Sequence, residues 1–410
     1  MTAFDQNDCT GSSMQLPRFS CSDRCSMPAT PQKWRVPSLP ALAESHLISL
    51  IPNMPLLWIA LLLFAPSSQV MRTRRQSARL SAEAPSAKKQ KKSVGSALKS
   101  TEMMPLLDLG QLVRGTLIKR PSTSIRSPYV ADVSLFQKGK KKDSNVVLAH
   151  APALDVGGMC VSGSDIFLSE RPAGGKTSHA IELVRGAPLT NKSSDKGVLV
   201  GAHPRLGELI AQEVLKRGLL KDEIILKDGW EMGAVDGSSI NMKQQVTIGD
   251  SRVDFQLTLS DKQASHKVIV EVKNVVCADY KAGTEPGIRN DNHCVVVAPT
   301  ESAEEEYRRS ALFPWGRLGQ KYDGRAVVSE RAIKHLLNLR DLQNEDVTTV
   351  VMFVVNRSDC ESMRACGERC PVFRDVLQEV VQAGVKAVGV RVRWEDDGRC
   401  FFDGFVPVQV

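Results

Sequence analysis

A chain of 410 residues is longer than one hydrophobic core usually organises and suits two folded domains with additional segments. With 42% hydrophobic and 24% charged residues it reads as a globular protein, which excludes a wholly disordered or membrane-embedded chain. The formal charge of +8 is local: between residues 71 and 100, Arg72, Arg74, Arg75, Arg79, Lys88, Lys89, Lys91, Lys92 and Lys99 face Glu83 alone, and the rest of the chain is formally neutral. A nucleic-acid surface on the folded part must therefore come from uneven placement of charge.

Residues 1–105 read as a disordered or targeting extension, rich in Pro, Ser, Thr and Gln and without a lasting amphipathic period. Pro55 to Ala65 is an apolar run, but a bilayer span needs about 20 residues. No stable membrane association is expected. The Arg- and Ser-rich stretch after it has the composition of a transit peptide, while Arg74-Arg75 followed by Lys88-Lys89-Gln90-Lys91-Lys92 reads equally as a nuclear-localisation patch. The expected location is thus intracellular, in a plastid or other organelle or in the nucleus.

Five short β-like runs follow: Leu112 to Ile118, Tyr129 to Phe136, Val146 to His150, Asp165 to Leu168 and His179 to Val184. Their spacing predicts a small all-β barrel of the OB type over 106–190, an architecture that often binds oligonucleotides. Lys138, Lys140, Lys141 and Lys142 sit in one basic loop that is placed to follow a phosphate backbone.

The pattern changes near Gly201, and residues 196–410 are read as an α/β domain. Leu206, Leu209, Ile210 and Val214 recur at helical spacing, with Gly218 suited to the position past the helix end. Strands are predicted at Ile224 to Leu226, at Val246 to Leu259 and at Lys267 to Val276. After an irregular insertion at about 281–325 come a helix from Ser329, a buried strand from Val347 to Val355, a helix from Phe373 to Ala383 and a last strand from Val385 to Val392. The ten cysteines show no disulfide framework and suit reduced thiols; Cys360, Cys366 and Cys370 fall short of a four-ligand zinc site.

The chemistry centres on Asp254, Glu271 and Lys273. Side chains two apart on a strand point the same way, so Glu271 and Lys273 share a face, and a hairpin pairing would bring Asp254 to the same point. Two carboxylates suit Mg²⁺ or Mn²⁺, and a lysine beside the ion can orient the attacking water for phosphodiester hydrolysis. The competing reading makes Glu271 and Lys273 the solvated face of an alternating strand. Against it, two charges within an otherwise apolar run are costly unless paired, hydrated or metal-bound.

Ser251-Arg252-Val253-Asp254-Phe255, Glu271-Val272-Lys273-Asn274-Val275 and Ser329-Glu330-Arg331-Ala332-Ile333-Lys334-His335-Leu336 resemble the successive signatures of the sugar fermentation stimulation protein family, SfsA. Val200 to Pro204 and Gln212 to Gly218 resemble its preceding turn and first-helix end. The resemblance implies an OB-fold domain followed by a restriction-endonuclease-like domain of the PD-(D/E)-x-K type, a mixed sheet with flanking helices, in a DNA-binding protein. It makes Asp254 and Glu271 metal carboxylates, Lys273 the catalytic lysine and Glu213 a helix-one carboxylate toward the metal. Arg252, Arg331 and Lys334 are the further candidate phosphate contacts. The chain departs from the family where Pro152-Ala153-Leu154-Asp155 replaces a Pro-Asn-Thr-Gly-like turn, and where an insertion separates Phe313-Pro314 from Ala326-Val327. Two functions are compatible with these residues: a Mg²⁺-dependent nuclease acting on DNA or RNA, and a non-catalytic DNA-binding regulatory factor on the same scaffold.

Overall fold

The computed structural model describes residues 104–136, 145–152, 156–186, 196–235, 240–249, 251–285, 295–298 and 307–410, all within one compact unit. The extension with its proposed targeting signals, the loop lysines Lys138, Lys140, Lys141 and Lys142, and Ala153 to Asp155 lie outside the described residues.

After a short β1 (Leu107–Asp108) come β2 (Val113–Lys119), β3 (Val130–Leu135), β4 (Val146–His150), β5 (Asp165–Glu170) and β6 (His179–Arg185). β2 pairs antiparallel with β3 and β5, β3 with β4, and β5 with β6. A parallel pairing of β4 with β6 closes the ring. The result is the five-stranded barrel expected from the runs, filled by Leu117, Val133, Ile166, Leu168, Ile181 and Val184; closure satisfies strand edges that would otherwise be free. β7 (Leu199–Gly201) adds to β6, so the barrel's hydrogen bonding runs past residue 196, where the sequence suggested that the next domain begins.

The chain continues through α1 (Arg205–Lys216), β8 (Ile240–Ile248), β9 (Ser251–Ser260), β10 (Ser265–Val275), β11 (Cys277–Ala278), β12 (Ser310–Phe313), β13 (Gln320–Tyr322) and β14 (Arg325–Val327). It ends with α2 (Glu330–Leu342), β15 (Val347–Val355), β16 (Ser362–Ala365), α3 (Pro371–Gln382), β17 (Lys386–Trp394), β18 (Arg399–Val406) and β19 (Val408–Gln409). A seven-stranded mixed sheet runs β1-β18-β17-β15-β10-β9-β8, with β10, β15 and β17 parallel at its centre. On one face, Leu206, Ile210 and Val214 of α1, spaced i, i+4, i+8, pack against Val268, Val270, Val350 and Met352. On the other, Ile333 and Leu336 of α2 and Phe373 and Leu377 of α3 cover Ile269, Val351 and Phe353. Helices on both faces are what a sheet with parallel central strands requires, and they explain why β15 is apolar almost throughout.

Three expectations are corrected. The strand read from Val246 to Leu259 is a hairpin, β8 and β9, whose reversal follows Gly249 at φ +58°; glycine reaches that backbone region without steric cost. Ile224 to Leu226 is not a strand. Ile224 and Leu226 are buried while Ile225 is 83% exposed, so the alternation is real but arises in a turn-rich segment without a pairing partner among the described residues. The insertion holds β12, β13 and β14, and β12 joins a second sheet of order β11-β12-β16-β19. Cys360, Cys366 and Cys370 are all buried, and none is in a disulfide. Where the barrel meets the sheet, Arg357 donates to Asp359 at 2.6 and 2.8 Å, to the Val276 carbonyl at 3.1 Å and toward the Met159 sulfur at 3.8 Å. Arg309 donates to the same aspartate at 2.5 Å.

Candidate active site

β9 and β10 pair antiparallel from Ser260↔Ser265 to Phe255↔Val270. The next step of that register sets Asp254 opposite Glu271, yet the ladder stops. The Val272 N–H instead donates to Asp254 Oδ2 at 2.7 Å. A side-chain carboxylate thus satisfies a buried strand donor at the point where two strands part, and the gap it fills is the site. Asp254, Glu271 and Lys273 do converge. Glu271 and Lys273 are 4% and 8% exposed, so they are not the solvated face of a strand.

Lys273 Nζ donates to Glu271 Oε1 at 2.7 Å. His335 of α2 contacts the same oxygen through Nδ1 and lies 3.3 Å from Lys273 Nζ. Its helix is started by Ser329, whose Oγ accepts the Ala332 N–H at 3.1 Å. On the other side, Gln245 Nε2 donates to Asp254 Oδ1 at 3.2 Å and to Glu208 Oε2 at 3.0 Å. Glu208 reaches this position because α1 approaches β10 closely: a Cβ on Gly207 would lie 2.7 Å from the Asn274 Cβ.

The two central carboxylates differ in their hold on a proton. Burial, then the charge of Glu271, raises Asp254 to about 6. Glu271 is also pushed up by burial, but the His335 hydrogen bond and the charge of Lys273 outweigh this and leave it below the usual glutamate range. An anionic pair in which one member is driven toward its neutral form is a pair that a cation would relieve. Among the described residues no three His, Cys, Asp or Glu side chains are arranged as a complete metal cage.

Glu213, expected as the helix-one carboxylate, turns away from this centre. It pairs with Lys216 at 3.0 Å and Arg217 at 3.4 Å on its own helix. Five residues separate it from Glu208, which places the two on different faces; Glu208, not Glu213, is the α1 carboxylate on the Asp254 side, joined to it through Gln245. Arg252, Arg331 and Lys334 do come together, lining an open cleft of about 400 Å³ with Ser251, Gln320, Glu330 and His335. Lys334 is partly neutralised there by Glu330 at 2.8 Å. Gln245 and Glu208 carried no sequence signal. His335 stood inside a quoted signature without an assigned role.

Comparison with known proteins agrees with this architecture. Residues 326–398 match the family model described as the sugar fermentation stimulation protein RE domain. A sugar fermentation stimulation protein homolog from Syntrophotalea carbinolica is 26% identical over 302 residues, 72% of this chain and 96% of that one. The chain is similar to sugar fermentation stimulation proteins over about 70% of its length. A homolog from Maricaulis maris is 27% identical over 281 residues, 68% of this chain and 88% of its own. Among solved structures, Pyrococcus furiosus SfsA in complex with Ca²⁺ aligns over 75% of this chain and 100% of its own, with a TM-score of 0.50 and 15% identity. Arg331, Lys334 and His335 fall within the family-model segment, whereas Asp254, Glu271 and Lys273 precede it. Among the described residues no helix is long and apolar enough to cross a membrane.

Proposed function

We propose that this protein is a divalent-cation-dependent phosphodiester hydrolase acting on DNA. In this reading the seven-stranded sheet with its helices, within 196–410, is a nuclease-like fold of the PD-(D/E)-x-K type, and the barrel within 106–190 is an OB-type nucleic-acid module. The observation that carries it is Asp254 standing opposite Glu271 and Lys273 where β9 leaves β10.

The residues suit an oxygen-preferring ion. Asp254 and Glu271 would hold Mg²⁺ or Mn²⁺, with Glu208 close behind through Gln245. The Ca²⁺ bound by the Pyrococcus protein is of the same chemical class. Such an ion supplies charge stabilisation at the phosphoryl oxygens. Lys273, held against Glu271, sits where it can orient the attacking water, and the cleft cations Arg252 and Arg331 would grip the flanking phosphates. Fold resemblance does not by itself carry activity; the intact set of carboxylates and lysine does the arguing.

A second reading, a DNA-binding regulatory factor without catalysis, is favoured by one observation. Glu271 already has an internal cation in Lys273 and a further partner in His335, so its own charge is compensated without a metal. Incubating the full chain with labelled single- and double-stranded DNA and RNA, with Mg²⁺, Mn²⁺ or chelator, separates the two. The nuclease reading expects cleavage that chelator stops and that Lys273→Ala removes while Mn²⁺ binding survives. Metal-independent binding of DNA with no cleavage of any substrate leaves the scaffold reading standing.

A further inference from the structure

His335 sits between two groups with different tasks. Arg331, one helical turn earlier, lines the cleft, and its Nε donates to His335 Nε2 at 3.1 Å; residues four apart on a helix face one another in this way. Both ring nitrogens face a group that can only donate, Arg331 Nε at Nε2 and Lys273 Nζ 3.3 Å from Nδ1, but Nδ1 also has the acceptor oxygen of Glu271 closer to it, so Nε2 is the bare, accepting nitrogen of the ring. Nδ1 then carries a proton and donates to Glu271 Oε1. Lys273 donates to that same oxygen at 2.7 Å. Oε1 is therefore filled from two sides, the carboxylate's rotation is fixed, and Oε2 is the oxygen left to an ion.

We propose that His335 is a positioning residue, locked in one tautomer by Arg331, that orients the Glu271 carboxylate for a divalent cation. The inference rests on the metal-centre reading above. It differs from a packing role in one respect: what matters is an N–H donor at the Nδ1 position, not the volume of the ring. Outer partners of this kind hold metal-ligating groups in place, and their removal typically weakens metal binding by about 10–100-fold. The link also joins the cleft to the metal side, since a change at Arg331 alters which ring nitrogen carries the proton.

The test is Mn²⁺ titration of the full chain by calorimetry and by the electron paramagnetic resonance signal of free Mn²⁺, with unfolding midpoints recorded for each variant. His335→Ala is expected to bind Mn²⁺ about 10–100-fold more weakly. His335→Asn, whose amide N–H replaces the Nδ1 donor, is expected to restore affinity to within about threefold, and His335→Gln, whose amide lies nearer the Nε2 position, is not. Arg331→Met, an exposed change that leaves the fold intact, is expected to weaken binding in the wild-type background and to add nothing in the His335→Asn background. Equal affinity across all four variants overturns the proposal, as does equal weakness of His335→Ala and His335→Asn. If instead wild type binds Mn²⁺ no better than Asp254→Asn, the metal-centre reading itself fails and takes this inference with it.

Discussion

Gly201 and Asn356 meet so closely that a Cβ on the glycine would lie 2.3 Å from the asparagine Oδ1. The Gly201 N–H donates to the Asn356 carbonyl at 3.0 Å. Asn356 in turn accepts from Trp394 Nε1 at 2.6 Å and donates to Asn274 Oδ1 at 3.0 Å, and Asn274 is the residue against which Gly207 packs. One residue, through its backbone carbonyl and its side chain, thus ties the strand leaving the barrel, the site-bearing strand β10 and the C-terminal strand β17 together.

Gly201→Ala should therefore lower stability by about 2–3 kcal/mol, because the added methyl displaces Asn356 and disconnects its buried hydrogen bonds. Urea unfolding of the full chain measures this. A midpoint equal to wild type would show that the crowding is relieved at no cost.

Asp254 gives a pH signature without any metal. Its folded-state value of about 6 lies above the ordinary 3.8, so the fold prefers the protonated form; its stabilising contribution is complete below 3.8 and is lost as pH rises through 6. Asp254→Asn should consequently be more stable than wild type at pH 8, by roughly 1–3 kcal/mol, with the gap narrowing toward pH 4. Adding Mn²⁺ should reverse the order at pH 8, since only the wild type gains from binding. Thermal unfolding at both pH values, with and without the ion, reads all of this; a variant less stable than wild type at pH 8 without metal would contradict it.

The buried Asp359 behaves oppositely. Burial raises it, but the Arg357 and Arg309 charges and hydrogen bonds overcome that and hold it at about 2. Its contribution is present above the ordinary 3.8 and fades as pH falls through 2. Asp359→Asn leaves two buried guanidinium groups uncompensated and should cost roughly 3–5 kcal/mol at neutral pH. Denaturant unfolding tests it, and a loss below about 1 kcal/mol would mean that the pair contributes no more than a surface ion pair.

DNA affinity should fall steeply with salt if the cleft grips phosphates. Arg252→Ala and Arg331→Ala should each reduce the slope of log affinity against log salt by about 1. Lys334→Ala should do less, its charge being already shared with Glu330. Fluorescence anisotropy between low and moderate salt decides this, and a flat dependence would argue against phosphate contact.

Much of the architecture was legible because side-chain periodicity is local. The alternation in β10 placed Glu271 and Lys273 on one face, and the i, i+4 stripe of Leu206, Ile210 and Val214 placed α1. What escaped depended on partners far along the chain. Ile224 to Leu226 alternates like a strand but has no neighbour to pair with among the described residues, whereas β18 is a strand because β17 and β1 flank it. Glu208 and Glu213 are indistinguishable by residue type. Only the approach of Gly207 to Asn274 decides which of them faces Asp254. His335 was visible as part of a signature, but its connection to Glu271 requires α2 to lie over β10.

The first strand of the described fold, β1, pairs with β18: Leu107 stands beside Cys400 and Asp108 beside Arg399. On a ribosome, that pairing has to wait until almost the whole folded unit has been made. The barrel has no such dependence, since its five strands pair within residues 113–185, and it can close early in synthesis. The site-bearing sheet draws its edge strand from before the barrel and its central strands from after it. Its assembly is therefore a late event in the life of the nascent chain, completed only when the two extremities of the unit are brought side by side.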